Sequence, residues 1–179
     1  MGGCGKGYLA DQLREVLATH GLHGYLLSLG GDITTCGRNQ HDDPWTVYVQ
    51  DASSLSGHHP KALSCPDRPF AVATSGTFRR SGQTTAKPWH HLIDPTTLEP
   101  ANTDVLLATV CAETTVEADV LASCAAILGS RRAPAFLSSR GVPAMLLQCQ
   151  NQTRQFDVQF DHSRGQNLLK TFKSVVQHG

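Results

Sequence analysis

Apolar residues recur at helical spacing in two stretches of this 179-residue chain. The first stretch predicts a helix from Gly7 to about His20, and the second predicts a helix from Glu117 to Leu128 that Gly129 ends. The apolar positions of the two repeats are Leu9, Leu13, Val16 and Leu17, and then Val120, Leu121, Cys124, Ile127 and Leu128. Each helix is therefore expected to pack one apolar face on a core.

Shorter apolar or alternating runs lie between these helices and predict strands. The runs are Tyr25–Leu29, Trp45–Gln50, Phe70–Ala73, Val105–Cys111 and Ala144–Cys149. Several strands interleaved with two or three helices indicate an α+β fold. The length indicates one domain, which we place at residues 1–149. The polar segment 150–179 follows it, and within that segment Leu168–Val176 could form a closing helix.

Charge and composition argue against several classes of partner. Lys and Arg number 15, as do Asp and Glu, so the formal net charge is zero and gives no electrostatic case for nucleic acid or an anionic membrane. Aromatic residues make up only 6% of the chain, which argues against a platform for stacked bases. We see no apolar run of transmembrane length and no signal peptide, so the chain as given would be cytoplasmic, but its localisation stays open.

The cysteines and histidines indicate no metal site by spacing alone. Six cysteines are scattered without a C-x-x-C pair, so neither a zinc site nor a disulfide framework can be predicted from them. The histidines include two pairs that are adjacent in sequence, His58-His59 and His90-His91. Neighbouring side chains on an extended chain point to opposite sides, so each pair can offer only one ring to a given site.

The opening segment GGCGKGYLADQL places glycines and a lysine at the start of the first predicted helix. A P-loop would need four residues between its first glycine and the Gly-Lys pair, and then a Ser or Thr for magnesium. Gly7 follows Lys6 here, so the segment is not a P-loop. Two interpretations stay open: glycines that let backbone amides approach an anion at a helix N-terminus, and a tight glycine turn with no ligand.

Five short segments follow one another along the chain. They are GGCGKGYLAD from Gly2, LSLGGDI at Leu27–Ile33, ATSG at Ala73–Gly76, HLIDP at His91–Pro95 and EADVLAS at Glu117–Ser123. In order and approximate spacing this series resembles the ApbE family, the FAD:protein FMN transferases once called thiamine biosynthesis lipoproteins. Members read roughly G-G-x-A-K-G-Y-x-x-D, G-G-D, T-S-G, H-x-I-D-P-x-T-G-x-P and A-D-x-x-x-T. The resemblance covers about Gly2 to Gln148.

The resemblance implies an ApbE-type, T-fold-like α+β domain with a mixed or antiparallel sheet and packed helices. Family chains are nearly twice this length, so the family's N-terminal half is expected to be missing. Three positions depart from the family pattern: Gly5 replaces the alanine before the lysine, Leu98 the glycine of D-P-x-T-G, and Ser123 the last threonine. Leu98 is the most disruptive, because a turn glycine often holds a positive φ that leucine resists.

The resemblance also implies a cofactor and a reaction. Family enzymes bind FAD with Mg²⁺ on its diphosphate and transfer the FMN half to a threonine of an acceptor flavoprotein, releasing AMP. The implied metal ligands are the carbonyl of Gly5, the carboxylate of Asp119 and the hydroxyl of Ser123. Asp119 and Ser123 are spaced i, i+4, so they share one helix face, and both offer hard oxygen ligands. Without the resemblance, Asp119 is a plain acid favoured at a helix start.

His91 is the general base that the resemblance implies for the acceptor threonine, a role that suits an imidazole. Its neighbour His90 is expected to be exposed and without a role. Asp94 would orient this loop or, more simply, cap the Asp-Pro turn. The other implied cofactor contacts are Lys6, Gly7, Asp11, Gly31, Asp32 and Ser75, each of which also has a plain structural interpretation as a turn or surface residue.

Three functions stay open at this point. The first is an FMN transferase, or the C-terminal part of one. The second is a degenerate FAD-binding protein that transfers nothing, and the third is a non-catalytic interaction domain. Many relatives are exported lipoproteins, although no export signal is visible in this chain. A surface left open by the missing half predicts self-association, so a homodimer is an expected partner state.

Overall fold

The computed structural model describes residues 3–50, 61–77, 80–84, 88–142, 144–149, 153–154 and 172–174. Within these ranges the chain forms helices α1 (Gly5–Thr19) and α2 (Thr115–Ser139). The strands are β1 (Tyr25–Leu29), β2 (Asp32–Cys36), β3 (Thr46–Val49), β4 (Lys61–Ser64), β5 (Phe70–Gly76), β6 (Ser81–Gln83), β7 (Pro88–His90), β8 (Val105–Ala112), β9 (Ala144–Cys149), β10 (Thr153–Arg154) and β11 (Phe172–Ser174).

A six-stranded antiparallel sheet in the order β1-β2-β5-β8-β9-β10 forms the centre of the fold. Strands β5 and β8 lie in its middle, where Ala73 is opposite Val110. Because side chains alternate across a strand, each face of these strands presents its own set of apolar residues. The sheet therefore has a core on both sides.

The helices cover one face of this sheet. The buried residues of that face are apolar, and four of them are alanines: Ala71, Ala73, Ala108, Val110, Ala112, Met145 and Leu147 from the strands. Helix α2 buries Ala118, Leu121, Ala122, Ala125 and Ala126 against them. This run of alanines brings the helix backbone close to the sheet, which places residues at the start of α2 near the ends of β2 and β5.

A second, three-stranded sheet in the order β11-β4-β3 belongs to the core of the opposite side. Its strands bury Val47, Val49 and Leu63 in one cluster with Phe70, Val72, Cys111 and Leu146 of the central sheet. Strands β6 and β7 form a separate hairpin. The domain thus has three layers, with the helices on one outer side and the small sheet on the other.

Helix α2 is broken at Gly129. The φ of Gly129 is 77°, a left-handed conformation that glycine adopts without strain, and the chain continues as helix to Ser139. Asp104 caps this second half, because its carboxylate accepts hydrogen bonds from the Ser130 N–H at 2.9 Å and the Ser130 hydroxyl at 2.5 Å. The sequence correctly predicts that a helix ends at Gly129 but misses the helix that starts immediately after it.

By length and composition alone, Thr115–Ser139 is a helix that could cross a membrane. The Gly129 break interrupts it, and its alanine-rich face packs on the central sheet. Both features are those of a core helix in a globular domain.

Most predicted elements are confirmed. The α+β fold with an antiparallel sheet is present, β1 and β9 have the predicted bounds, and β5 extends three residues further, to Gly76. Helix α1 starts at Gly5 instead of Gly7. Of the stretch Leu168–Val176 only residues 172–174 are described, and they form strand β11 against β4, so the closing helix is wrong there. The rest of that stretch lies outside the described residues.

Candidate functional site

Lys6 and Asp32 form an ion pair where the start of α1 meets the start of β2. Asp32 is only 2% exposed. It follows Gly30 and Gly31, whose φ values of 60° and 98° are left-handed and allow a two-residue turn between β1 and β2. A Cβ on Gly30 would lie 3.2 Å from Cδ of Lys6, so the glycine leaves room for the lysine over the turn.

Asp119 completes this site from the second turn of α2. It is 7% exposed, and the Gly7 N–H and the carboxyl group of Asp32 lie close enough to its carboxylate to affect its pKa. Burial raises the pKa of Asp119, and so does the negative charge of Asp32, whereas the Lys6 ammonium and the Gly7 N–H oppose the rise. We call Lys6, Asp32 and Asp119 the acid pocket. Its two carboxylates share one ammonium, so negative charge is in excess.

Gly7 allows the two helices to cross closely beside the acid pocket. A Cβ on Gly7 would lie 2.6 Å from Cα of Val116, which is closer than real Cβ atoms approach a backbone. The same glycine turns its N–H towards Asp119. Gly7, predicted as a cofactor contact, is thus needed for the packing of α1 on α2, and through that packing it sets where Asp119 lies.

Asp11 fastens the start of α2 to α1. Its two carboxylate oxygens accept hydrogen bonds from the Thr115 N–H at 2.8 Å and the Val116 N–H at 2.9 Å. The Thr114 hydroxyl accepts a hydrogen bond from the N–H of Glu117, the next residue in the first turn, at 3.3 Å. All three unpaired donors of the first turn are therefore satisfied. The sequence interpretation, in which Asp11 bonds the nucleotide or is solvated, misses this cap. A Thr-Thr-x-Glu stretch at 114–117 was the available signal for the helix start.

Ser75 and Ser123 meet next to the acid pocket. Ser75 lies near the end of β5, and its hydroxyl is 2.8 Å from the hydroxyl of Ser123 on α2. Ser123 lies one helical turn after Asp119 on the same face of the helix. The structure thus brings a residue of the ATSG segment and two residues of the EADVLAS segment together, as the resemblance implies.

His91 directly follows β7, and the next residue, Leu92, packs in the core cluster that contains Leu121 and Ala122 of α2. Its backbone N–H donates to the Arg80 carbonyl at 3.1 Å, which continues the pairing of β6 with β7. The ring is exposed, and within the described residues it makes no hydrogen bond or ion pair. His90, expected to be exposed, is instead half-buried and bonds the backbone through both ring nitrogens.

The loop after His91 contains Asp94 and Leu98. Asp94 caps its own turn, because its Oδ1 accepts the Thr96 N–H at 2.8 Å, as the simpler interpretation predicts. Leu98 has a φ of 58° and is 79% exposed. The position therefore has the left-handed backbone expected of a family glycine, and leucine adopts it at a cost in strain without burying its side chain.

A divalent cation is compatible with the acid pocket. Two nearly buried carboxylates beside a hydroxyl pair offer hard oxygen donors, and their excess negative charge is what a cation offsets. Among the residues that the structure describes, no group of three or more His, Cys, Asp or Glu side chains is placed to hold a metal. A cation bound here would therefore need carbonyl, hydroxyl or phosphate oxygens as its other ligands.

Comparisons of the sequence and of the fold with known proteins point to one and the same family. The profile of the ApbE family matches residues 1–146. The FAD:protein FMN transferase of Treponema pallidum is 33% identical over 82% of this chain and 42% of its own length. That of Vibrio cholerae is 28% identical over 79% of this chain and 42% of its own length.

Two solved structures share the fold. The flavin transferase ApbE from Vibrio cholerae has a TM-score of 0.73 at 26% identity, covering 87% of this chain and 48% of that one. The ApbE protein from Thermotoga maritima has a TM-score of 0.71 at 26% identity, covering 83% and 47%. The chain thus spans less than half the length of these relatives. The sequence resemblance and the predicted fold are confirmed: this chain belongs to the ApbE family.

Proposed function

We propose that this chain moves FMN from FAD to a threonine of an acceptor flavoprotein and releases AMP, as the names of its relatives suggest. The observation behind the proposal is the acid pocket, which lies at the N-terminus of α1 with Lys6 beside it. A helix N-terminus with an adjacent ammonium favours a phosphate group, and the two carboxylates favour a cation next to that phosphate.

Mg²⁺ is the proposed cation, and Gly5, Asp119 and Ser123 are the residues that would hold it, through a carbonyl, a carboxylate and a hydroxyl. When bound, it would offset the charge of the diphosphate and of the departing AMP. Ser75 holds the Ser123 hydroxyl in place through the bond between their oxygens. Asp11 and Gly7 fix the start of α2, and with it the position of Asp119.

The other residues act on FAD and on the acceptor. Lys6, held by Asp32, would contact the diphosphate, and the turn at Gly31 leaves space for it, since among the described residues only its own chain neighbours come within 4 Å of a Cβ built there. The acceptor threonine oxygen bonds to the FMN phosphorus, the bond from that phosphorus to the AMP oxygen breaks, and the threonine proton passes to a ring nitrogen of His91. Asp94 orients this loop through its capped turn.

The test begins with FAD binding to the purified chain, with and without Mg²⁺, followed by flavin fluorescence. AMP release is then measured with a flavoprotein acceptor that carries a threonine. We expect Mg²⁺-dependent binding and AMP release, and about a 100-fold slower release in Asp119→Asn because the carboxylate at the charged centre is lost. Glu117→Gln removes the same charge from an exposed position two residues away and should change neither.

A second candidate function is FAD binding without transfer. The length of the chain favours it, because only 42% of the Treponema pallidum relative is matched. Mg²⁺-dependent FAD binding with no AMP release would select this candidate. If the chain does not bind FAD at all, the remaining candidate function is a non-catalytic interaction domain.

A second copy of the chain is a further proposed partner. Helix α1 exposes Tyr8, Leu9 and Val16 by 51–56%, and Leu13 by 38%. Exposed apolar side chains on one helix favour association. Sedimentation of the purified chain at several concentrations measures its oligomeric state, and a monomer at every concentration would contradict a homodimer.

A further inference from the structure

The ring of His90 joins two points of the chain, Leu92 and Ala101, that are nine residues apart. Its Nε2 is 3.0 Å from the carbonyl oxygen of Ala101, so this nitrogen carries the hydrogen and donates it. Its Nδ1 accepts the backbone N–H of Leu92 at 3.3 Å. The two bonds together specify a neutral imidazole with its hydrogen on Nε2, because a protonated ring could not accept from Leu92.

The two backbone positions that His90 joins form the base of a loop. The Ala101 N–H donates to the Leu92 carbonyl at 2.9 Å, and Leu92 and Ala101 are 8% and 4% exposed. Beyond this base the loop continues into solvent, with Ile93 45% and Leu98 79% exposed. The loop is therefore held at its base by the backbone pair and by the His90 ring, and further out by the backbone bonds from Asp94 to Glu99 and from Leu98 to Asp94.

His91 lies between the two groups that fix this base. On its N-terminal side is His90, and on its C-terminal side is Leu92, which contacts the hydrophobic core. Its own N–H bonds to the Arg80 carbonyl. The backbone of His91 is thus fixed on both sides, which gives its exposed ring a defined starting direction.

We propose that His90 is a positioning residue for His91: its neutral ring ties Leu92 to Ala101 and thereby holds the His91 backbone where the imidazole can meet an acceptor. The functional part of this inference rests on the proposed transferase activity, whereas the tie itself does not. A misplacement of about 1 Å in a catalytic group can cost about 100-fold in rate, so a tie at the adjacent residue has a measurable consequence.

The variants His90→Asn, His90→Gln and His90→Ala distinguish the bond to the Ala101 carbonyl from the bond to the Leu92 N–H. Asn at position 90 can accept from the Leu92 N–H in place of Nδ1, and Gln can donate to the Ala101 carbonyl in place of Nε2, whereas Ala does neither. His23→Ala is the matched control, because His23 is an exposed histidine elsewhere on the domain.

The experiment measures three quantities in the full chain. Nitrogen NMR of the wild-type ring should show the hydrogen on Nε2. Amide exchange at Leu92 should be faster in His90→Ala and His90→Gln and close to wild type in His90→Asn. The kcat for FMN transfer should fall about 10- to 100-fold in His90→Ala with the KM for FAD unchanged, and His90→Asn should recover part of it.

Several outcomes would overturn the inference. They are a hydrogen on Nδ1, unchanged Leu92 exchange in His90→Ala, or a kcat that follows only the folded fraction in all three variants. If the wild-type chain transfers no FMN, the proposed function fails. The ring tautomer and the Leu92 exchange then still decide whether His90 ties the loop.

Discussion

The acid pocket and the loop after β7 are built in different ways. The acid pocket lies between α1, α2 and β2, and its carboxylates are nearly buried. The loop lies beyond a two-stranded hairpin and presents His91 and Leu98 to solvent. The proposed cofactor site is therefore part of the core, whereas the proposed general base is on an exposed segment held at its base by the Leu92–Ala101 backbone pair and by His90.

This difference has a consequence for mutation. Asp11, beside the acid pocket, also holds the two helices together, so its loss is expected to lower stability and activity at once. A residue of the loop contributes little buried area, so its loss is expected to change activity more than stability. The following variants test the comparison, from the largest expected effect on stability to the smallest.

Asp11→Ala should lower the free energy of unfolding by about 2 kcal/mol, because two N–H groups at the start of α2 lose a charged acceptor. Urea unfolding followed by circular dichroism measures it. Asp11→Asn keeps one acceptor oxygen and should lie between wild type and Asp11→Ala. Gln12→Ala changes the exposed neighbour and should have almost no effect. Equal stabilities for Asp11→Ala and Gln12→Ala would show that the cap is not needed.

Leu98→Gly should raise the free energy of unfolding by about 1 kcal/mol, since glycine holds a φ of 58° without strain and the leucine side chain is exposed. Leu98→Ala is the matched control: it removes the same exposed side chain but keeps the strain, so no gain is expected. The thermal midpoints of the three proteins decide the matter. A gain in Leu98→Ala equal to that in Leu98→Gly would assign the effect to the side chain instead of the backbone.

Asp119→Asn should raise the free energy of unfolding of the Mg²⁺-free chain at pH 7. The gain should be smaller than that of Leu98→Gly, because Lys6 and the Gly7 N–H offset part of the cost of burying the Asp119 charge. The folded pKa of Asp119 lies above the ordinary value of 3.8, so the ionised form destabilises the native state. The advantage of the asparagine should therefore shrink as the pH falls through the folded pKa towards 3.8.

Unfolding measured between pH 4 and pH 7 gives this difference, with Glu117→Gln as the control. Glu117 is exposed in the first turn of α2, where a negative charge is favourable, so its replacement should slightly lower stability at pH 7. A difference between Asp119→Asn and wild type that does not change with pH would argue against a raised pKa.

Local patterns were sufficient for five of the strands, β1, β3, β5, β8 and β9, but not for β2, β6, β10 or β11. Short, mainly apolar runs predict β1 and β9 with their observed bounds. The resemblance implied that Asp119 and Gly5 act together, and the structure places Asp119 beside the start of α1, whereas the bond between Ser75 and Ser123 was not predicted.

Long-range hydrogen bonds account for what the sequence did not predict. Asp11 caps a helix that starts 104 residues later, and Asp104 starts a new helical segment after Gly129. Neither partner is close in sequence, so no local pattern indicates it. The same is true of His90, whose ring contacts Ala101 only because the loop folds back.

Because of the break at Gly129, the direction in which side chains point in one half of α2 does not determine their direction in the other half. Each residue added to a continuous helix rotates everything beyond it by about 100°. A residue with a φ of 77° interrupts that rotation, and the segment after it takes its orientation from Asp104 on a neighbouring loop. An insertion after Gly129 would therefore leave Asp119 in the acid pocket and Ser123 beside it. The half of α2 that contains the site is insulated from changes in the length of the other half.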